Sequence, residues 1–375
     1  MFNNATYLDQ YKKRYLFFVL LLITIGTLFI YSASAILAID LHGNSHYFVK
    51  KHAFGLLLGL FGYILGKTIP LWLVKKNILL LWICSMLITL ATLFSNHAVL
   101  IHGSKRWLRI GSLIFQPSEL LKMSFLLYIA SFFSNNYKKI SLATYSPLII
   151  ICFLTSITLL AQPDFGLTIT LLMTTFILFF ITSPPLKHTC YLLALFATNM
   201  IALIITKPYR LQRILTFLDP WKDPRGKGFQ IIQSFIAIGS GGWKGAGITH
   251  SKQKFFYLPM QHTDFIFSII AEETGFIGSI LLISLFLALM YTGFLFSITM
   301  KDRFGAFCVL SFTILISLQS IINIAVTTGL IPTKGIGLPF ISYGNTHTVC
   351  ILAMIGFLVN VINNDQKQPS LHRFN

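Results

Sequence analysis

The sequence predicts an all-α integral membrane protein of about ten transmembrane helices, on three observations. Apolar stretches long enough to cross a bilayer, about 20 residues at 1.5 Å rise, recur along nearly the whole chain. Hydrophobic residues make up 55% of the 375 residues and charged residues 11%. The mean hydropathy is +0.74, a balance that excludes the two soluble domains that length alone would allow.

In chain order the spans are 15–39, 48–66, 78–95, 119–134, 145–161, 165–183, 189–206, 274–298, 305–327 and 345–363. The first follows Lys12, Lys13 and Arg14 and is too long for a signal-peptide core. Ala33-Ser34-Ala35 near its end is therefore read as part of an uncleaved anchor. The second and fourth spans are short and have soft boundaries. An even number of spans places both termini on one side, and the basic residues choose the cytoplasm. Lys67, Lys75, Lys76, Lys138, Lys139, Lys187, Lys301 and Arg303 then lie inside, against only Lys50, Lys51, Lys105, Arg106, Arg109 and Lys334 in the short outer loops.

No internal repeat appears, so 1–375 is read as one polytopic domain. It has a cytoplasmic N-terminus (1–14), a long extracytoplasmic loop (207–262) between helices 7 and 8, and a cytoplasmic tail (364–375). Residues 96–118 form a second unusual outer segment. The net charge of +18 is scattered between apolar spans, which suits topology signals and lipid headgroups and argues against nucleic acid. The five cysteines fall inside spans without paired spacing, and the ten histidines are dispersed. Neither pattern suggests a disulfide frame or a metal site.

The chain has only eleven acidic residues. Asp219 and Asp223 precede prolines and read as turn formers. Asp164, in "AQPDFG", reads as a helix N-cap that has a smaller prospect of touching substrate. Glu119, Asp264, Glu272 and Glu273 lie at or within apolar segments, where ionisable groups default to functional hypotheses. A helix over 264–275 would align Asp264, Ser268, Glu272 and Gly275 as one polar or small stripe on the water or cavity side. Asp264 or Thr263 could equally cap that helix. Glu119 and Lys122, three apart, either pair with each other or face a ligand. His262 either orients Asp264 or sits at the interface. The glycine cluster "GSGGWKGAG", 239–247, is a flexible turn or an anion nest. A site with one or two carboxylates and several cations at the outer surface suits an amphiphile with an anionic head.

The stretches "RWLRIGSLIFQPSELLK", "YRLQRILTFLDPWKDPRGKGFQIIQSFIAIGSGGWKGAG", "YLPMQHTDFIFSIIAEETG" and "PTKGIGLPFISYG" closely resemble the SEDS family, the shape, elongation, division and sporulation proteins. The likeness runs from "YSAS" at 31–34 to the last span. It is nearer the division branch, with the elongation branch as near relative, on Trp221, Gln230, "QKFFYLP" and "PTKG".

The resemblance implies ten membrane helices and polymerisation of lipid II into peptidoglycan glycan strands at the outer face of the bacterial cytoplasmic membrane, at the septum. A class B penicillin-binding transpeptidase and other divisome membrane proteins would be partners; the sequence itself requires no cofactor and leaves a divalent cation open. The family's essential aspartate matches Asp264, as general base. Arg106, Glu119, Lys122, Arg210, Gln233, His262, Thr263 and Ser342 are carried as substrate-binding candidates. A lipid II transporter and a recruiting scaffold are the rival readings. Two departures stand out: Met260 where the family usually has Glu, and "SYGNTHT", with Asn345 and His347, where it has "SYGG" followed by Ser or Thr.

Overall fold

The computed structural model describes residues 4–101, 103–111, 113–136, 142–182, 208–255 and 258–367. The seventh predicted span, 189–206, lies outside them.

Among the described residues the chain forms eleven α-helices and one small sheet. The helices are α1 (Asn4–His42), α2 (Tyr47–Thr68), α3 (Leu71–Phe94), α4 (Pro117–Asn135), α5 (Leu142–Ala161), α6 (Phe165–Ile181), α7 (Pro208–Leu218), α8 (Phe229–Gly241), α9 (Ile266–Thr299), α10 (Arg303–Thr327) and α11 (Asn345–Lys367). Seven of them, α1, α2, α3, α5, α9, α10 and α11, are long and apolar enough to cross a bilayer. Helices α4 and α6 coincide with two further predicted spans.

The layering follows from which helices are apolar all round and which carry a narrow packed face. Helices α4 and α10 are buried along most of their length and form the centre with α11. Helix α2 buries a single stripe, His52, Gly55, Gly59, Gly62 and Gly66, and packs it on α11. A Cβ at Gly66 would stand 2.4 Å from the Ala353 carbonyl oxygen, and one at Gly356 would stand 2.0 Å from that of Tyr63. Small residues at this spacing let the two backbones approach closely, the usual way helices associate in lipid.

Both long polar segments are structured. Residues 98–115 form a three-stranded antiparallel sheet, β1 (Ala98–Ile101), β2 (Ser104–Ile110) and β3 (Leu113–Phe115), in the order β1-β2-β3. The expectation of an all-α chain is corrected to that extent. The 207–262 insertion contains α7, a 3-10 turn at Pro220–Lys222, and α8.

Helix α9 breaks at Gly275, whose φ of 67° suits glycine alone. The break frees backbone groups on both sides, and the glycine cluster takes them up. Ala246 N–H donates to Glu272 O and Gly247 N–H to Glu273 O, while Phe276 N–H donates to Gly242 O and Ile277 N–H to Trp243 O. The cluster is thus a backbone clasp, with the N–H groups of Gly245, Ala246 and Gly247 spent on protein carbonyls. It is neither the flexible turn nor the anion nest expected from its composition.

Candidate functional site

Asp264 lies in a turn, two residues before α9 begins at Ile266. Phe265 occupies the N-cap position and no side chain caps the helix. Both capping alternatives, Thr263 and Asp264, are therefore corrected, and so is the polar stripe. Asp264 precedes the helix, Ser268 is buried against Ser234 at 2.6 Å, and Glu272 and Glu273 turn into the protein. Glu272 accepts from Lys252 N–H at 2.7 Å and from Ser251. Glu273 accepts from Ser32 Oγ and, at 3.2 Å, from Lys254 Nζ. Both carboxylates fasten loop 249–254 and leave the site to Asp264.

Three elements fix the Asp264 turn through its backbone. Asn323, a buried amide in the C-terminal half of α10, donates from Nδ2 to the Asp264 carbonyl and to that of Ile336, each at 2.8 Å. Ser342 Oγ donates to Thr263 O at 2.6 Å and accepts from Leu338 N–H at 2.7 Å. Tyr343 N–H donates to His262 O at 3.0 Å. The 260–265 turn and the 328–344 connection are thereby locked as one body. Replacing Asn323 by leucine leaves two buried carbonyls without a partner, at about 1–3 kcal/mol each. The expected outcome is a thermal unfolding temperature several degrees lower and a weakened activity, measured on the purified variant in detergent.

With the backbone held this way, the Asp264 carboxylate makes no hydrogen bond among the described residues. One oxygen lies 3.5 Å from where a Cβ on Gly335 would stand. Burial pushes the acid up to about 6, against the opposing charges of Arg213 and Arg106, with Asp164 adding to the rise. A carboxyl near neutrality, flanked by cations and free of hydrogen bonds, is suited to take up a proton.

Arg106 is positioned by β2 and anchored to the α5–α6 turn. Its Nε donates to Gln162 O at 2.8 Å, its Nη2 to Pro163 O at 2.6 Å, and its Nη1 lies 3.8 Å from Asp164. Asp164 caps α6 as expected, accepting from Leu167 N–H at 3.2 Å, and burial raises its acid too. Arg213 on α7 donates to Thr333 O at 3.3 Å. Burial lowers Lys334, whose ammonium stands over the Phe165 ring.

The remaining candidates divide. Glu119 and Lys122 form a buried ion pair. His262 does not hydrogen-bond Asp264. Its ring packs against Phe48 and Tyr343, at centroid distances of 4.8 and 5.6 Å, and burial lowers its pKa to about 4, which keeps it neutral. Thr263 and Ser342 act as fasteners, Thr263 donating to Met260 O at 3.2 Å. Gln233 is half-buried on α8, and the Arg210 side chain lies outside the described residues. Sequence reasoning missed Asn323, Gly335 and Arg213. A buried amide within an apolar span and an arginine one helical turn after Arg210 were the available signals for the first and last.

The two departures have simple placements. Met260 adopts a φ of 56° and packs on the apolar cluster of Leu258, Phe265, Ile269 and Ile322. Asn345 is accommodated by Gly55, where any Cβ would meet its side chain at 2.7 Å.

A family profile described as "Cell cycle protein", FtsW/RodA/SpoVE, matches residues 13–367. The chain belongs to the FtsW/RodA/SpoVE family. It is 36% identical over 345 residues to "Stage V sporulation protein E" of Bacillus subtilis, covering 91% of this chain and 94% of that one. It is 35% identical over 355 residues to "Probable peptidoglycan glycosyltransferase FtsW" of Geobacter sp. strain M18, covering 94% and 97%. A solved chain from "Structural coordination of polymerization and crosslinking by a peptidoglycan synthase complex" superimposes with a TM-score of 0.78 at 27% identity, covering 94% of this chain and 98% of that one. This FtsW/RodA/SpoVE member is a multi-pass helical membrane protein. Its three-way lock on the Asp264 turn lies wholly within the matched region.

Proposed function

We propose that the chain is a peptidoglycan glycosyltransferase that polymerises lipid II at the outer face of the bacterial cytoplasmic membrane during cell division. The single observation that carries the mechanism is the Asp264 carboxylate, held by its backbone, free of hydrogen bonds among the described residues and flanked by Arg106 and Arg213.

A sugar hydroxyl attacks the anomeric carbon of a lipid-linked disaccharide. Its oxygen forms the new glycosidic bond while Asp264 accepts the proton. The bond from that carbon to the lipid diphosphate breaks, and the diphosphate leaves with the electron pair. Arg106 and Arg213 supply positive charge where negative charge develops on the leaving oxygen. Relatives named for glycosyl transfer, and a similar chain solved in a peptidoglycan synthase complex, support this reading and a class B transpeptidase as partner. The FtsW likeness supports division over elongation, and anionic lipids would meet the basic cytoplasmic loops.

The test uses the purified chain, its transpeptidase partner and labelled lipid II in vesicles. Glycan polymer from the wild type supports the proposal. Lipid II crossing the bilayer without polymer would replace it with transport.

A further inference from the structure

Gly275 interrupts α9, so 266–274 is a short helical stretch set apart from the membrane-spanning remainder. A stretch of that length does not hold itself and needs anchors at both ends. Asn323, Ser342 and Tyr343 anchor the end that carries the Asp264 turn. The other end is anchored by Glu272. Its buried carboxylate gathers one loop: Oε1 accepts from Lys252 N–H at 2.7 Å and from Gln253 N–H at 3.4 Å, and Oε2 accepts from Ser251 Oγ and, at 3.4 Å, from Gln253 N–H. Ser251 Oγ in turn accepts from Lys254 N–H at 3.3 Å. An ionised carboxylate only accepts, which matches four donors converging on it. An amide in its place would set N–H against N–H.

The hold passes from this loop to the Asp264 turn. Leu258 N–H donates to Gln253 O at 3.1 Å, and the buried Leu258 side chain packs in one cluster with Phe265 and Ile336. Phe265 directly follows Asp264. Ile336 directly follows Gly335, whose Cβ would stand 3.5 Å from the Asp264 carboxylate. Leu258 therefore bears on both segments that flank the acid. The turn itself is closed by Thr263 N–H and Phe265 N–H donating to Met260 O, at 3.1 and 3.3 Å.

We propose that Glu272 is a positioning residue for Asp264: by fixing 251–253 it sets Leu258, and Leu258 sets the carboxylate between Phe265 and Ile336. Glu272 touches neither the substrate nor the reacting atoms. This rests on the polymerase reading and deepens it by naming a remote group on which the geometry of proton transfer depends. Misplacing a reacting group by about 1 Å costs about 10²-fold in rate, while substrate held by other residues binds as before.

The experiment follows polymerisation of labelled lipid II by the chain and its transpeptidase partner in nanodiscs, from pH 5 to 8, for the wild type, Glu272→Gln and Ser251→Ala. Rates are normalised to the fraction of protein that binds lipid II, so that unfolded protein does not pass for slow turnover. The expected kcat of Glu272→Gln is lower by about tenfold or more, with KM within about twofold of wild type. Its acid limb is expected to move down from about 6, because a displaced Asp264 loses burial. Arg213 on α7, Arg106 on β2 and Asp164 at the start of α6 also act on Asp264, with Lys334 beside Gly335 and His262 on the turn. All of these stay in place in both variants. Ser251→Ala removes one donor to Glu272 and keeps the others, and decides the question if Glu272→Gln does not fold. It is expected to shift the acid limb the same way and to lower kcat about threefold, as loss of one hydrogen bond allows. A normalised kcat and acid limb equal to wild type overturn the inference and leave the polymerase reading intact. So does a fall in kcat with the limb unmoved, the mark of a merely structural role. No polymer from the wild type overturns both.

Discussion

Asp264→Asn is expected to lower glycan polymerisation by about 10²- to 10⁴-fold, the usual contribution of a positioned general base. The amide keeps the shape of the side chain and the backbone bonds from Asn323 to the turn, so the loss reports on the proton acceptor. The same variant is expected to be more stable than the wild type at neutral pH. Folding raises this acid from 3.8 to about 6, so the folded state disfavours the carboxylate. Wild-type stability is therefore lost as pH rises from about 4 through 6. At roughly 1.4 kcal/mol per pKa unit the cost reaches about 3 kcal/mol above that window. Thermal unfolding at pH 4 and pH 7.5 checks the sign: the gain from asparagine should appear only at the higher pH.

The second large effect belongs to a residue with no side chain. Gly335 is exposed, and a Cβ there stands 3.5 Å from the Asp264 carboxylate. That is ordinary contact, so Gly335→Ala fits. Gly335→Val adds two further methyl groups beside that carboxylate. The expected outcome is a loss of activity of at least about 10²-fold, since even small misplacement at a reacting centre is costly, with an unfolding temperature close to wild type. Polymerisation and melting assays on the two variants separate occlusion of the site from damage to the fold.

The membrane architecture was legible because apolar length is a one-dimensional signal. Nine of the ten predicted spans coincide with helices of the described residues. The 98–115 sheet was not legible, because strands of three to seven residues leave too little alternation to read against neighbouring spans. Counting acids narrowed the candidates to Glu119, Asp264, Glu272 and Glu273, and the family resemblance singled out Asp264, but its setting was misread. A period of four through Glu272 looked like one helical face, whereas Gly275 breaks the helix and loop 249–254 claims the glutamates. Asn323 and Gly335 reach Asp264 from 59 and 71 positions away along the chain, and one sequence carries no trace of such pairings. His347 was visible as a departure, but its meeting with Lys122 across two helices was not.

The most direct measurement of the general-base claim is the rate of glycosidic bond formation under saturating labelled lipid II, followed from pH 5 to 8 for the wild type and Asp264→Asn. The expected wild-type rate falls as pH drops below about 6, where Asp264 becomes protonated, and Asp264→Asn stays near background throughout. A wild-type rate flat across that range, or polymer formed by Asp264→Asn at a rate comparable to wild type, would contradict it.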